Sequence, residues 1–229
     1  TTGTNNVGIG RAALFNNTTA GNNTAVGRDA LITSTTGGDN TALGVAALND
    51  NTTGSNNTSA GVSSLRSCTT GANNVGIGHQ AGNDITTGSN NVCIGSDSDA
   101  ASATTSNSIT LGNSSISSLR CQVQTIGSLS DQRDKTNIVD IADGLELINN
   151  LRPRKFTWAM REPSANDGKT ELGFIAQELD QAIGSKNDYM HLVDKTNPDK
   201  LEAAYSRLIP ILVKAVQDLS QKVTALEAG

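Results

Sequence analysis

Asn5-Asn-Val-Gly-Ile-Gly10 returns as Asn22-Asn-Thr-Ala-Val-Gly27, Asp39-Asn-Thr-Ala-Leu-Gly44, Asn73-Asn-Val-Gly-Ile-Gly78 and Asn90-Asn-Val-Cys-Ile-Gly95. The closing glycines, Gly10, Gly27, Gly44, Gly61, Gly78, Gly95 and Gly112, are each 17 residues apart. A fixed internal period is the mark of a solenoid, in which one repeat forms one coil and neighbouring coils bury each other's apolar faces. The first half of the chain is therefore predicted to be a repeat rod and not an enzyme domain. Any chemistry has to be sought after it.

Within each repeat the pattern alternates. Val7, Thr24, Thr41, Thr58, Val75, Val92 and Ile109 hold one position, and Ile9, Val26, Leu43, Ala60, Ile77, Ile94 and Leu111 the position two further on. Between them stand small residues, Gly8, Ala25, Ala42, Ser59, Gly76, Cys93 and Thr110. Period two predicts a short strand. The larger residues are expected to fill the coil and the small ones to face outward, where another subunit approaches. A second apolar row, Leu14, Leu31, Leu48 and Leu65 with Ala13, Ala30 and Ala47 before it, predicts a second strand per coil. Thr-Thr-Gly-Ser-Asn stretches such as 52–56 and 86–90 read as turns, where Gly and Asn accept positive φ. With strands about 4.8 Å apart, the rod would be roughly 34 Å long.

Composition divides the chain at the same place. Residues 1–129 hold a single aromatic, Phe15, with no proline and no lysine; residues 130–229 hold Phe156, Trp158, Phe174, Tyr189, Tyr205, every proline and every lysine. The expected organisation is a fibre region at 1–115, a connector and junction at 116–129, and a small domain at 130–229. The formal net charge is −5, and no Lys/Arg cluster offers a stripe for nucleic acid or an anionic membrane. No apolar run is long enough to span a bilayer, and no signal peptide is seen. The chain starts inside a repeat and is read as a fragment of something longer.

Isolated reactive residues carry little. Cys68, Cys93 and Cys121 lack metal spacing, and Cys93, at the small strand position, reads as a buried small hydrophobe. His79 and His191 stand alone and read as structural or surface residues. Gly-Ile-Gly-Arg at 8–11 is a coil corner and not a phosphate loop, since no Gly-Lys-Ser/Thr follows. Asp97 and Asp99 are read as a solvated turn in preference to a calcium site. Asn17-Thr-Thr and its like follow from the repeat. Neither a metal nor a cofactor is expected.

Near the C-terminus, Ile209, Leu212, Val216, Leu219, Val223 and Leu226 are spaced 3-4-3-4-3, a short heptad seam. Pro210 suits the first turn of that helix. Docking on its own domain is the alternative for Ile209 to Val216; for Leu219 to Leu226 an intersubunit bundle is the preferred reading. A homotrimer answers both the seam and the solenoid's strand face.

The stretch between is Ser130-Asp-Gln-Arg-Asp-Lys135-Thr-Asn-Ile138, then Gly144-Leu-Glu-Leu-Ile-Asn-Asn-Leu-Arg-Pro153, Phe156-Thr-Trp158, Leu172-Gly-Phe-Ile-Ala-Gln-Glu178 and Tyr205-Ser-Arg-Leu-Ile-Pro-Ile-Leu-Val-Lys-Ala-Val216. Together these motifs resemble the C-terminal intramolecular chaperone of phage tailspikes and tail fibres, the S74 peptidase domain, over residues 129–228. The repeats resemble the heads of YadA-type trimeric adhesins, with a longer coil, and Asn107-Ser-Ile-Thr-Leu-Gly-Asn-Ser-Ser115 is similar to the segment that closes such heads. The implied fold is a mainly β, left-handed parallel β-roll followed by an α+β chaperone domain ending in a coiled-coil helix.

What the resemblance implies is a trimer that templates its own fibre and then cuts itself once. Ser130 would be the nucleophile, Lys135 the base, and the bond between Leu129 and Ser130 the one cleaved. The family usually has an apolar residue before the lysine. Here it is Asp134, and a nearby carboxylate favours the charged ammonium. The expected setting is a virion tail appendage assembled in the host cytoplasm, with itself as first partner and no nucleic acid or membrane insertion. Three readings stand: a self-cleaving assembly chaperone, a structural fibre end with a silent dyad, and an adhesin whose solenoid binds a host glycan or protein receptor.

Overall fold

The computed structural model describes residues 2–120, 122, 130–159, 161 and 168–229. The chain forms two compact units, Thr1–Ser117 and Ser118–Gly229.

In the first unit, seven three-residue strands form one parallel sheet in sequence order: β1 (Val7–Ile9), β2 (Thr24–Val26), β3 (Thr41–Leu43), β4 (Thr58–Ala60), β5 (Val75–Ile77), β6 (Val92–Ile94) and β7 (Ile109–Leu111). Every pair is in register at the repeat period, Val7 on Thr24 and Val92 on Ile109. This is the expected parallel β-solenoid. Each coil closes at a glycine. Gly61, at φ +148°, lies so near the next coil that a Cβ there would meet the Gly78 carbonyl oxygen at 2.1 Å.

Two expectations are corrected. The first is which strand face points inward. Ala25, Ala42, Ser59 and Cys93 are buried, while Val7, Ile9, Leu43, Ile77, Ile94 and Leu111 are exposed. The reason is room. The leucine row already fills the coil, and a Cβ on Gly76 would sit 2.8 Å from Leu65 Cγ. Only small strand residues fit opposite it, so the branched ones are turned outward.

The second correction is the second strand, which does not form. Leu14, Leu31, Leu48 and Leu65 have φ of 55°, 49°, 50° and 48°, and the residues two before them, Ala12, Asp29, Ala46 and Ser63, are also left-handed. Alternating left-handed residues reverse the chain where a strand would extend it. Burial of the leucine side chain offsets the local backbone cost. Each leucine still donates its N–H to the next coil, as Leu31 does to Ala47 O at 3.1 Å.

The interior also contains a polar ladder. Asn23, Asn40, Asn57, Asn74 and Asn91 are fully buried. Asn57 N–H donates to Asn40 Oδ1 at 2.9 Å, and its Nδ2 donates to Gly71 O at 2.9 Å. Its neighbours one coil away repeat both bonds.

In the second unit, α1 (Leu145–Asn150) leads to a hairpin of β8 (Arg154–Thr157) and β9 (Thr170–Gly173). Then come α2 (Ala176–Ile183), α3 (Asn187–Met190), the antiparallel pair β10 (Val193–Asp194) and β11 (Glu202–Ala203), and α4 (Ile209–Glu227). The core is Leu147, Leu151, Leu179, Ile183, Met190, Leu192, Val193, Leu208 and Ile211. Asp218 fixes α1 to α4 by accepting from Leu145 N–H at 3.1 Å while paired with Lys214. The Tyr205 hydroxyl accepts from Phe174 N–H and donates to Phe174 O, both at 3.1 Å, tying the turn before α4 to the end of the hairpin.

Helix α4 docks by Ile211 and Ala215. Its predicted seam, Ile209, Leu212, Val216, Leu219, Val223 and Leu226, is a different face, between 44% and 82% exposed. Pro210 lies in the first turn, where its missing N–H costs no helical bond.

Candidate functional site

Residues 130–135 form a small closed structure. A 3-10 turn at Gln132–Asp134 is N-capped by Asp131, whose side chain accepts from Arg133 N–H at 2.9 Å. Asp134 N–H donates to Asp131 O at 3.2 Å and Lys135 N–H to Gln132 O at 3.1 Å. The Arg133 guanidinium reaches back over the same carboxylate, Nε to Oδ1 at 3.0 Å and Nη2 to Oδ2 at 2.6 Å. That fork and the cap hold Asp131 below the usual carboxylate range.

The turn brings the two expected residues together. Lys135 Nζ lies 2.5 Å from Ser130 Oγ and 3.2 Å from Ser130 O. A lysine nitrogen at this distance from a serine hydroxyl has the geometry for proton transfer in a nucleophilic mechanism. Both residues are exposed. Leu129, the other half of the expected scissile bond, lies outside the described residues, as does Cys121. Within the turn the ion pair is Asp131 with Arg133. Asp131 and Arg133 stand in the quoted motif, yet sequence reasoning gave them no role. An Asp just before a short helical turn is a capping signal that would have identified the first.

The remaining candidates fall elsewhere. Cys68 and Cys93 are buried free thiols, each pushed up to about 11, mainly by desolvation. A thiol so raised is neither nucleophile nor ready ligand at neutral pH. Asp99 is pushed up to about 6, first by burial, although its Oδ1 accepts from Asp84 N–H at 3.0 Å. His79 Nδ1 stands 3.7 Å from Asp97. Among the described residues no group of three or more His, Cys, Asp or Glu is placed to hold a metal ion. Among them, too, no helix is long and apolar enough to cross a membrane. In the second unit, Lys186 and the Tyr189 hydroxyl both bond Asp143, and Lys186 first holds that carboxylate below its usual range. This cluster ties the segment before α1 to α3.

The family model described as "Chaperone of endosialidase", Peptidase S74, matches residues 130–186, starting at Ser130 itself. Neither a curated protein nor a solved structure matches the chain. After its repeat solenoid, the chain thus carries at residues 130–186 a segment that matches the chaperone family of the S74 peptidases.

Proposed function

We propose that this chain is part of a trimeric phage tail fibre or tailspike. In this reading residues 130–229 form an intramolecular chaperone that trimerises, sets the register of the fibre and then releases itself by cutting between Leu129 and Ser130. The observation that carries the reading is the 2.5 Å approach of Lys135 Nζ to Ser130 Oγ at the first residues of the family match.

The chemistry follows from those two atoms. Lys135, as free amine, takes the Ser130 hydroxyl proton while Oγ attacks the Leu129 carbonyl carbon. The Leu129–Ser130 C–N bond then breaks, and the Ser130 nitrogen leaves as an amine, accepting the proton from Lys135. The ester joining the Leu129 acyl group to Ser130 Oγ is hydrolysed by water, giving a Leu129 carboxylate and a free Ser130. An ammonium has no lone pair to offer, and desolvation is what lowers a lysine's pKa. Since one chain leaves both side chains exposed, packing of other copies over the turn is the proposed source of that desolvation. Cleavage would then follow assembly.

The physical need for a clamp supports the reading. Pairing between chains is slow and exposes strand edges that aggregate. A C-terminal clamp raises the local concentration of chains and fixes their register first. Its removal makes the assembly hard to reverse.

Mass spectrometry of the purified chain tests the reaction. Wild type is expected as two pieces, residues 1–129 and 130–229. Ser130→Ala and Lys135→Ala are expected to stay whole, and so is Lys135→Arg, because arginine does not give up its proton. Raising the pH should speed wild-type cleavage, because only a neutral amine can take the hydroxyl proton. Wild type that stays intact on long alkaline incubation would reduce the domain to a structural clamp.

A further inference from the structure

The pair of atoms that reacts in this reading is separated by five residue steps. In an extended chain that is about 17 Å between Cα atoms, at roughly 3.4 Å per residue, farther than lysine and serine side chains reach toward each other. The 3-10 turn at Gln132–Asp134 removes the excess length, since each residue advances only about 2 Å there. A three-residue turn has little stability of its own, and none of its residues is buried. Its side-chain fixing comes from Asp131: the cap to Arg133 N–H and the two-pronged pair with the Arg133 guanidinium.

We propose that Asp131 is a positioning residue for self-cleavage, holding the capped turn that carries Lys135 Nζ onto Ser130 Oγ. The inference rests on the reading that this pair cuts the chain. It assigns Asp131 a geometric task and not an electrostatic one, because its carboxylate faces Arg133 while the Lys135 ammonium is turned to Ser130. An aspartate carboxylate, here held lower still by Arg133, is ionised through neutral and alkaline pH, so the cap persists there.

The test is the first-order cleavage rate of the full-length chain, followed on denaturing gels from about pH 7 to about pH 10, where lysine titrates. Asp131→Ala removes the cap and is expected to slow cleavage about tenfold, the usual scale for losing an N-cap. Asp131→Asn and Asp131→Ser keep an oxygen that accepts from Arg133 N–H and should restore the rate to within about threefold of wild type. The pH midpoint should be the same in all four proteins, and light scattering should give all four the same oligomeric mass. Asp131→Ala cleaving at the wild-type rate would overturn the positioning role while leaving the dyad intact. Asn and Ser variants as slow as Ala, with a shifted midpoint, would overturn it in favour of a charge effect. A wild type that never cleaves would remove the dyad reading and this inference with it.

Discussion

Asn57 and Asn51 are both completely buried, yet they contribute oppositely to the solenoid. Asn57 bonds to two neighbouring coils and to its own: its N–H donates to Asn40 Oδ1, its Nδ2 to Gly71 O, and its Oδ1 accepts from Asn74 N–H. Asn51 has neither end of its amide bonded. In adjacent coils the same position holds Ser34, whose Oγ donates to Gly37 O, and Cys68, whose thiol faces Gly71 O. Asn57→Ala should therefore lower the melting temperature sharply, since each buried group left unpaired costs about 1–3 kcal/mol. Asn51→Ser should leave it unchanged or raise it. Calorimetry of the two variants decides, and the reverse order would contradict this account of the interior. The repeat made these asparagines visible as a pattern, but their burial was not legible, because asparagine alone is ordinarily a surface or turn residue. Ser130 and Lys135 were legible only through the motif around them. Asp131 carried a legible signal, an Asp at the cap position of a short turn, which the motif around Ser130 and Lys135 overshadowed.

At the scale of elements, the strands and the last helix leave apolar surface in water. Alternation in β1 to β7 says that the two faces differ, and it does not say which one is inside. That was decided by the left-handed leucine row, which takes the coil's volume and leaves room only for Ala, Gly, Ser and Cys opposite. The row itself read as a strand because an apolar Ala-Leu pair repeating once per coil carries no mark of the left-handed backbone at the leucine. Helix α4 was read more closely. Its heptad face is separate from the Ile211 and Ala215 face that docks on the domain, so the seam remains free. Under the proposed trimer, Leu219→Asp puts three carboxylates into one apolar seam, where they cannot all be solvated. Sedimentation should show this variant dissociated to single chains and, if cleavage follows assembly, uncut. A trimer retained by Leu219→Asp would remove the seam from the interface.

For the whole molecule, each unit separately presents one long apolar row without cover in the single chain: Ile9, Leu43, Ile77, Ile94 and Leu111 on the solenoid, and Leu212, Val216, Leu219 and Val223 on α4. Under the proposed trimer, these exposed rows on a repeat edge and on a heptad face are the surfaces by which copies would associate. In the proposed trimer, association of copies would also cover the exposed Ser130–Lys135 turn. The claim on which everything else depends is that the chain works as a trimer. Light scattering of the uncut Ser130→Ala protein at micromolar concentration tests it most directly. A mass of about 70 kDa, three times the chain's 23.6 kDa, is predicted; a single-chain mass would contradict the account.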